Sequence, residues 1–402
     1  MKKRIYRLIF ISGLCGLFSC GPNQDSKIIW VKNGIDLQLN DAMVEVDLKK
    51  ISISKIKQMP LAVMLDGQEI PVQKHGGKLY FLTDFEPNET KKVSIQIVDE
   101  IRQYRQRAHA ELSRKEGGHY EGDHYLGGQF TSVSFDKMPL NHVDHDTYYR
   151  YEGPGWESDK VAYRFYLDPR NCIDIFGKKV NNIVLPDVGL DDTEAYLQMA
   201  DWGGDIFKVG TSLGIGSVAA FHNDAVHKVS ITDSVLVRIL ADGPVLAEIQ
   251  TNYYGWQVGA EKYDLQSNLS IHGGSRLTKQ KLQISGNLET LATGLVKHDE
   301  CKYLEGSPEV DSEWNYIALW GKQSLAGDNL GTVIFFKNEN LIMTTDDELN
   351  HLVVLKPRDG KLKYYFAAAW EGEPGGIQTE PEFINYLNRT VMELNNPINV
   401  NY

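Results

Sequence analysis

Long stretches of alternating polar and apolar residues dominate the middle of this 402-residue chain. Successive side chains of an extended strand point to opposite faces, so each stretch can bury one face and leave the other in water. Asp-Gly at 242–243 and Gly-Gly at 273–274 separate the stretches as turns. The pattern predicts large antiparallel sheets packed face to face. It is clearest in VAYRFYL, CIDIFGKKV, VSITDSVLVRILA, VLAEIQTNYYGW, EKYDLQSNLSIH and RLTKQKLQISG.

The remainder of the chain extends this prediction to a mostly β fold. A small N-terminal β-sandwich is expected over residues 28–100, where Asp66 and Gly67 between two apolar runs are a strong hairpin signal. Residues 101–117 are rich in Arg and predict a charged connector, which is either a solvated helix or edge strand or a basic rim facing an acidic ligand. A large antiparallel β-sandwich is expected over residues 118–402.

The last predicted element is one helix at the C-terminal end of the large sandwich. Thr379 is a suitable N-cap, and Pro381 is favourable in the first turn of a helix. Phe383, Leu387 and Val391 recur at helical spacing. These three side chains should therefore dock the helix on the sandwich.

Charge and motifs exclude several classes of protein. The formal net charge of −12 argues against a nucleic-acid partner, which would need a basic surface to neutralise phosphates. The same charge mildly disfavours a polyanionic ligand, unless positive charge is gathered locally. The sequence has no GxGxxG fingerprint and no P-loop, which excludes nucleotide folds.

The first twenty residues, MKKRIYRLIFISGLCGLFSC, have the layout of an export signal. A basic start is followed by a short apolar run and a Cys. The ending Leu-Phe-Ser-Cys resembles a bacterial lipobox, so residues 1–20 are predicted to be a lipoprotein signal with lipidation of Cys20, and residues 21–27 a tether. We expect anchoring to the outer membrane, on its periplasmic or cell-surface side. An ordinary signal peptide that carries a Cys is the alternative.

Four segments between residues 117 and 217 concentrate the residue types that carry chemistry, namely GGHYEGDHYLGG, NHVDHDTYYRY, YEGPGWESDKVAYRFY and MADWGGDIFKVGTSLGIGS. Histidine exchanges protons near neutral pH, Arg can neutralise a uronate carboxylate, and Trp offers an apolar face to a sugar ring. The expected catalytic residues are His142, His145, Tyr149, Glu157 and Asp159. The expected substrate-binding residues are Arg150, Trp156, Arg164, Trp202, Asp205, His119 and His124.

Each assignment has a plain structural alternative. Glu157 and Asp159 occupy alternate strand positions on one side, and they could form salt bridges with Arg164 or Lys160 instead of contacting a substrate. The histidines of the first loop could be ordinary loop residues, and the Trp of DWGGD could be a buried ring beside a turn.

No metal and no other cofactor is predicted. His142 and His145 with Asp146 could ligate a metal, but in a loop this spacing is weak support. A calcium ion in the acid-rich loops is left open without support in the sequence. Cys172 and Cys301 could pair, although their separation gives no framework pattern, and Cys172 is expected to be a buried free thiol.

Four motifs follow one another in a fixed order: GWESDKVAYRFY, IDIFGKK, DWGGDIFKVGTSLGIGS and YYFAAAWEG before a final helix. In this order they resemble the secreted lipoprotein family called domain of unknown function 4861, over nearly all of the chain after residue 28. The resemblance implies a β-rich fold similar to galactose mutarotases and some polysaccharide lyases, and an association with the degradation of pectin-like glycans. It supplies no catalytic residues. Its motif positions here are Trp156, Glu157, Asp159, Arg164, Tyr166, Asp174, Lys178, Asp205, Val209, Gly210, Gly214 and Gly216.

Taken together, residues and resemblance predict a lipid-anchored, carbohydrate-active protein that processes acidic, uronate-containing oligosaccharides by β-elimination or hydrolysis. A glycan-binding lipoprotein without chemistry is one alternative, and a sugar epimerase or mutarotase is another. The expected partners are an oligosaccharide or polysaccharide and, through the lipid, a membrane. Binding without product formation would separate the binder from the enzyme.

Overall fold

A computed structural model describes residues 26–52, 56, 58–191, 194–306 and 311–402. Within these residues the chain is mostly β with one α-helix near the C-terminus, which confirms the predicted fold class. The predicted lipoprotein signal, including Cys20, lies outside the described residues. Short 3-10 turns occur at Leu48–Lys50, Arg150–Glu152, Leu185–Asp187, Ala195–Leu197 and Asn338–Asn340.

Two small sheets that share one core occupy residues 26–97. Their strands are β1 (Ser26–Lys32), β2 (Leu39–Asp47), β3 (Leu61–Leu65), β4 (Gln68–Ile70), β5 (Val72–His75), β6 (Lys78–Phe85) and β7 (Thr90–Ile97). One sheet has the order β1-β7-β3-β4 and the other β2-β6-β5. Asp66 and Gly67 form the β3–β4 turn with positive φ, as the hairpin signal predicts.

A hairpin, a five-stranded sheet and one strand of a further sheet, β11 (Phe135–Lys137), follow. The strands are β8 (Ala108–Glu111), β9 (Ser113–Glu121), β10 (His124–Ser132), β11 (Phe135–Lys137), β12 (Gly155–Ser158), β13 (Ala162–Phe165), β14 (Ile173–Lys178) and β15 (Gly203–Asp205). β9 pairs with β10, and the order β15-β14-β13-β12-β8 defines the motif sheet. The predicted connector is irregular only over residues 101–107, because its remaining residues enter β8 and β9.

The rest of the chain builds two further sheets. Its strands are β16 (Ala219–His222), β17 (Ala225–Lys228), β18 (Ser234–Ala241), β19 (Leu246–Val258), β20 (Glu261–His272), β21 (Leu277–Ser285), β22 (Leu291–Val296), β23 (Cys301–Gly306), β24 (Trp314–Gly321), β25 (Leu330–Lys337), β26 (Leu341–Asp346), β27 (Asn350–Leu355), β28 (Lys361–Trp370) and β29 (Asn399–Asn401). The broad sheet has the order β11-β18-β19-β20-β21-β28-β25-β24-β23. The third sheet has the order β17-β16-β22-β27-β26, and β29 returns to pair with β1.

The apolar face of the broad sheet packs against the motif sheet and the third sheet in one large core. Alternation along each strand sends every second side chain into this core and leaves the others on the opposite face. The sandwich of antiparallel sheets is thereby confirmed, while the likeness to mutarotases and lyases stays a prediction. Core members from the three sheets include Ile249, Leu282, Trp156, Tyr163, Ile175, Leu291 and Val353.

The C-terminal helix α1 spans Glu380–Asn395 and begins at the predicted cap. The Thr379 hydroxyl accepts from the backbone N–H of Glu382, and the Glu382 carboxylate accepts from the backbone N–H of Thr379 in return. Phe383, Leu387 and Val391 are buried against β24 and β25, so the predicted docking face is confirmed. In the described part of the chain no helix has the length and apolar character needed to cross a membrane.

The two cysteines within the described residues are both free thiols. Cys172 is fully buried, and burial raises the pKa of its thiol. Cys301 is only partly buried, at the start of β23. The prediction of a buried free thiol at Cys172 is confirmed, and a disulfide between the two is absent.

Candidate functional site

The motif sheet carries most of the residues that the sequence predicts for the site. Strand alternation sends Trp156 and Tyr163 into the large core, and Glu157 and Arg164 to the opposite face. A second layer of chain covers that face, so its charged groups lie between two layers and not in an open cleft. The covering side chains are Tyr151, Val184, Leu185, Val188 and Tyr196.

Glu157 is closed off from solvent by its own partners. Its carboxylate lies 2.5 Å from the Lys178 amine, and both side chains are 0% exposed. It also accepts hydrogen bonds from the backbone N–H groups of Val184, at 2.9 Å, and Leu185, at 2.7 Å. Burial raises the pKa of Glu157, against the opposing charge of Lys178. The expected catalytic contact with substrate, and the alternative pairing with Arg164 or Lys160, are replaced by a buried ion pair with Lys178.

Asp159 holds two parts of the chain together. Its carboxylate accepts from Arg107 Nε at 2.7 Å and from the backbone N–H of Gly274 at 2.6 Å. Arg107 also donates to Asp41 at 2.8 Å, which ties the N-terminal sheets to the same point. Asp159, expected to be catalytic with a salt bridge to Arg164 or Lys160 as the alternative, instead pairs with Arg107.

Arg164 is the centre of an internal network. Its guanidinium donates to Asp174 at 2.7 Å and to Asp205 at 2.6 Å, and its side chain is 5% exposed. The hydroxyl of Tyr166 donates to the same Asp174 oxygen. Burial and the neighbouring Asp174 charge raise the pKa of Asp205. Arg164 and Asp205, both predicted to bind substrate, thus form an ion pair with each other inside the protein.

The predicted ring platform and carboxylate clamp are also internal. Trp156 is completely buried and donates from Nε1 to the Thr278 hydroxyl at 3.0 Å, so its face is not available to a sugar. Arg150 pairs with Glu111 and donates to the backbone carbonyl of Pro186 at 3.1 Å. Trp202 is half-buried against the covering layer, at the edge of the motif sheet.

His142 and Tyr149 belong to a buried polar cluster. His142 Nδ1 lies 2.7 Å from an Asp146 oxygen, and the Tyr149 hydroxyl donates to Asp136 at 2.7 Å. Burial and the Asp136 charge raise the pKa of Tyr149. The alternative metal set of His142, His145 and Asp146 is not brought together, because His142 contacts Asp146 whereas His145 Nε2 lies 3.4 Å from Glu152.

His145 is half-exposed and sits with Asp144 and Glu152, whose ligand atoms lie within 4.8 Å of one another. Both carboxylates are already paired with Arg170, at 2.7 Å and 2.8 Å, which supplies the positive charge that a metal would bring. The cavity beside them, lined also by Tyr149, is about 30 Å³. Sites for small molecules are usually ~300 Å³ or larger, so this cavity is too small for a sugar ring.

His119 and His124 lie apart from all these residues. Both are exposed near the tip of the β9–β10 hairpin, where His124 pairs with Glu121 and His119 with Leu126. The predicted residues are therefore dispersed: a buried charged layer, a buried His-Tyr cluster, a small cavity and a hairpin tip. None of these places offers an open, sugar-sized surface.

Such a surface lies on the other side of the molecule, on the face of the broad sheet that points away from the core. Gln250, Asn268, Lys281 and Lys363 follow one another across β19, β20, β21 and β28. Lys337 ends β25 at the position that continues this order. We call Lys281, Lys363 and Lys337 the lysine row. The next row across the same strands is Asn252, Gln266, Gln283 and Lys361.

The members of these rows on β20, β21, β28 and β25 line a concavity of about 570 Å³, which is within the size range of ligand sites. Five cationic side chains and only two carboxylates, Glu248 and Glu339, contribute to its lining. A chain with a net charge of −12 thus gathers positive charge on one face. The cationic side chains are Lys281, Lys337, Arg358, Lys361 and Lys363.

The lysines of this face repel one another. Lys281 lies directly opposite Lys363 on neighbouring antiparallel strands, an arrangement that destabilises a sheet. Burial and the charge of Lys337 lower the pKa of Lys363. Burial and the charge of Lys281 lower the pKa of Lys279 to about 8. A bound anion would relieve this repulsion, so the lysine row is suited to a negatively charged ligand.

A second concavity, of about 370 Å³, continues the first along the same strands. Leu246, Ser270, Lys279 and Tyr365 line it, each two residues from a member of the first concavity. Its far wall comes from the N-terminal sheets and α1. From Leu277 to Gln283 of β21 the combined groove extends over roughly 20 Å, at about 3.3 Å per residue.

Sequence reasoning missed this face, although a signal was present. The segments LTKQKLQ and KLKYYF carry Lys at alternate positions, which places each pair of lysines on one side of a strand. Their significance depends on the pairing of β21 with β28, which puts Lys281 against Lys363. That pairing joins segments far apart in the chain, so it cannot be read from either segment alone.

The fold and this face define a mostly β protein of the sandwich type with an open, cationic sheet face. The chain belongs to the family described as domain of unknown function (DUF4861), whose model matches residues 31–400. This confirms the resemblance identified from the four motifs.

Parts of two solved structures from Enterococcus faecalis are similar to this chain over most of its length. One is a protein in glycosyl hydrolase family 38, with 9% identity and a TM-score of 0.45 over 94% of this chain and 47% of the other. The second is an alpha-mannosidase, with 9% identity and a TM-score of 0.46 over 95% of this chain and 46% of the other. The chain thus spans about half the length of these proteins. No curated protein matches the sequence.

Proposed function

We propose that this protein binds acidic, uronate-containing oligosaccharides on the open face of the broad sheet and processes them by β-elimination or hydrolysis. The observation that carries the proposal is the lysine row, three amines on neighbouring strands set among amides in a sugar-sized groove. Lys281 and Lys363 repel each other across two strands, and this repulsion destabilises the sheet. Because the chain is acidic overall, nothing in the fold requires two lysines at these positions, which points to a ligand that binds them.

Each part of the face matches one part of such a ligand. Ammonium groups pair with carboxylates, and charge-assisted hydrogen bonds are stronger than neutral ones. The amides of Gln250, Asn252, Gln266 and Asn268 carry both donors and acceptors, as sugar hydroxyls do. The half-buried Tyr365 adds an aromatic ring at the junction of the two concavities. Lys337 is paired with Glu313 at 2.9 Å, whereas Lys281 and Lys363 have no ion-pair partner among the described residues, and a neutral glycan would leave these two amines without a counter-charge.

Calorimetry with a matched pair of ligands tests the proposal. Galacturonate oligosaccharides of four to six units are expected to bind, and binding should weaken as salt screens the charges. Neutral galactose oligosaccharides of the same length should bind at least about tenfold more weakly. Ultraviolet absorbance of an unsaturated product and the release of reducing ends then report elimination or hydrolysis. Equal affinity for the acidic and neutral series would overturn the proposal, and binding without either product would overturn its catalytic part.

We further propose that the protein is anchored by a lipid on Cys20 to the outer membrane, as the layout of its first twenty residues indicates. Cys20→Ser is expected to move the protein from the membrane fraction to the soluble fraction of an expressing bacterium and to abolish labelling by a fatty-acid probe. Cys15→Ser, five residues earlier in the same segment, is the matched control and should leave both unchanged. Labelling that survives in Cys20→Ser would contradict the anchor.

A further inference from the structure

We propose that His75, positioned by Glu248, is the catalytic base of this groove and removes a proton from a uronate ring whose carboxylate is held by the neighbouring lysines. The inference rests on the proposed function and narrows it to β-elimination. His75 was not among the residues singled out from the sequence, and it lies in the N-terminal sheets, far along the chain from the lysines.

Two distant segments build the pair. His75 ends β5, and its Nε2 lies 2.9 Å from Glu248 Oε2 in β19 of the broad sheet. Both side chains are partly open, with exposures of 22% and 16%. Gln73, two residues earlier, accepts from the backbone N–H of Leu246 and donates to its carbonyl, each at 2.8 Å. These hydrogen bonds between the Gln73 side chain and the Leu246 backbone hold β5 beside β19 independently of the contact between His75 and Glu248.

The hydrogen bonds of Glu248 determine which histidine nitrogen can act as a base. Burial acts to raise the pKa of Glu248, but hydrogen bonds from His75 and Asn268 lower it, so the group is a carboxylate near neutral pH. An ionised carboxylate at Nε2 favours the tautomer that carries its proton there. Nδ1 then presents a lone pair, and among the described residues it has no hydrogen-bond partner.

The pair stands beside the cationic part of the groove. Glu248 pairs across strands with Ser270, and Ser270 pairs with Lys279, which neighbours the lysine row. The charges of Lys281 and Glu248 both act on Lys279, so these groups share one electrostatic environment. A uronate whose carboxylate is held by Lys279 or Lys281 would lie beside Glu248, which lines the groove and is hydrogen-bonded to His75.

The chemistry balances without an oxidant or a metal. His75 Nδ1 takes the proton from C5 of the uronate, and the C–H electron pair forms the C4–C5 double bond. The bond from C4 to the glycosidic oxygen breaks, and its electron pair leaves with that oxygen, which takes a proton from water. His75 then returns its proton to the solvent. Lysine stabilises the negative charge that develops on the carboxylate in the transition state.

His75→Asn and Glu248→Gln test the assignment, with galacturonate oligosaccharides as the probe. Asparagine keeps a donor for Glu248 but cannot accept the C5 proton, so formation of unsaturated product should fall about 1,000-fold while affinity changes less than about threefold. Glu248→Gln should lower kcat about 10- to 100-fold with KM nearly unchanged. His351→Asn is the matched control, because His351 also pairs with a carboxylate, Asp346 at 2.8 Å, on the third sheet. It should behave like the wild type.

The outcomes separate this inference from the function on which it rests. If the wild type binds no acidic oligosaccharide, the proposed function fails and this inference with it. If the wild type binds and forms only hydrolysis products or no product, the inference alone fails. Product formation at the wild-type rate by His75→Asn would also overturn it. Retained affinity in each variant shows that a loss of product is not a loss of folding.

Discussion

Lys281→Glu combined with Lys363→Glu is expected to abolish the binding of acidic oligosaccharides. Each lysine should supply a charge-assisted hydrogen bond of ~1.5 kcal/mol or more, so removing two costs about 100-fold in affinity before repulsion by the new carboxylates is counted. Calorimetry with galacturonate oligosaccharides measures this loss. Lys92→Glu changes the charge of an exposed position in β7, away from the groove, and should leave affinity within about twofold.

A variant of the lysine row should bind the ligand more weakly but unfold less easily. This combination distinguishes a lysine that binds ligand from one that stabilises the fold. Lys281→Gln removes a charge that directly opposes Lys363 across two strands. We expect the free energy of unfolding in urea to rise by up to about 1 kcal/mol, because like charges in this position destabilise a sheet. Weaker binding together with lower stability would mean that the lysine holds the fold, and the ligand proposal would lose its main support.

Local signals predicted much of the fold. The cap at Thr379, the stripe of Phe383, Leu387 and Val391, and the turn at Asp66-Gly67 are each determined within a few residues, and each is confirmed. Alternation within single strands predicted the mostly β class for the same reason. Such signals need no knowledge of which strand lies beside which.

The site depended on pairing between distant strands, which local signals do not contain. Glu157 is 21 residues from Lys178, and the two meet only because β12, β13 and β14 pair in one register. Arg107, which binds Asp159, comes from the irregular segment before β8. Acidic and basic residues close together in the sequence therefore suggested a cleft. In the structure these residues form ion pairs that join neighbouring layers of the protein.

The net charge of the whole chain also fails to predict the charge of the local site. A net charge of −12 disfavours an acidic ligand only if the charge is spread evenly over the surface. Four lysines of the broad sheet, with Arg358 from the segment before β28, instead surround one concavity. At ordinary salt concentrations, electrostatic attraction acts over about 10 Å. Binding therefore depends on the positive charge close to the ligand and not on negative charge elsewhere on the protein. The whole-chain charge and an acidic ligand are therefore compatible.

Lys178→Met is expected to lower the free energy of unfolding by about 3–5 kcal/mol, the largest change in stability predicted for this chain. The substitution leaves Glu157 buried without its counter-charge, and a buried unpaired charge is costly. Denaturation in urea measures the effect. By contrast, Lys302→Met breaks the exposed pair of Lys302 with Glu380 and should cost less than about 1 kcal/mol.

A second variant shows whether the charge itself is responsible. Lys178→Met combined with Glu157→Gln removes both charges, while the amide oxygen can still accept from the backbone N–H groups of Val184 and Leu185. Most of the lost stability should return, because neither layer then contains an uncompensated ion. The double variant should also bind acidic oligosaccharides like the wild type, since the pair lies between the motif sheet and its covering layer, on the far side of the core from the lysine row. If the double variant recovers stability but loses binding, Glu157 takes part in binding the ligand, and the binding site is on the motif sheet.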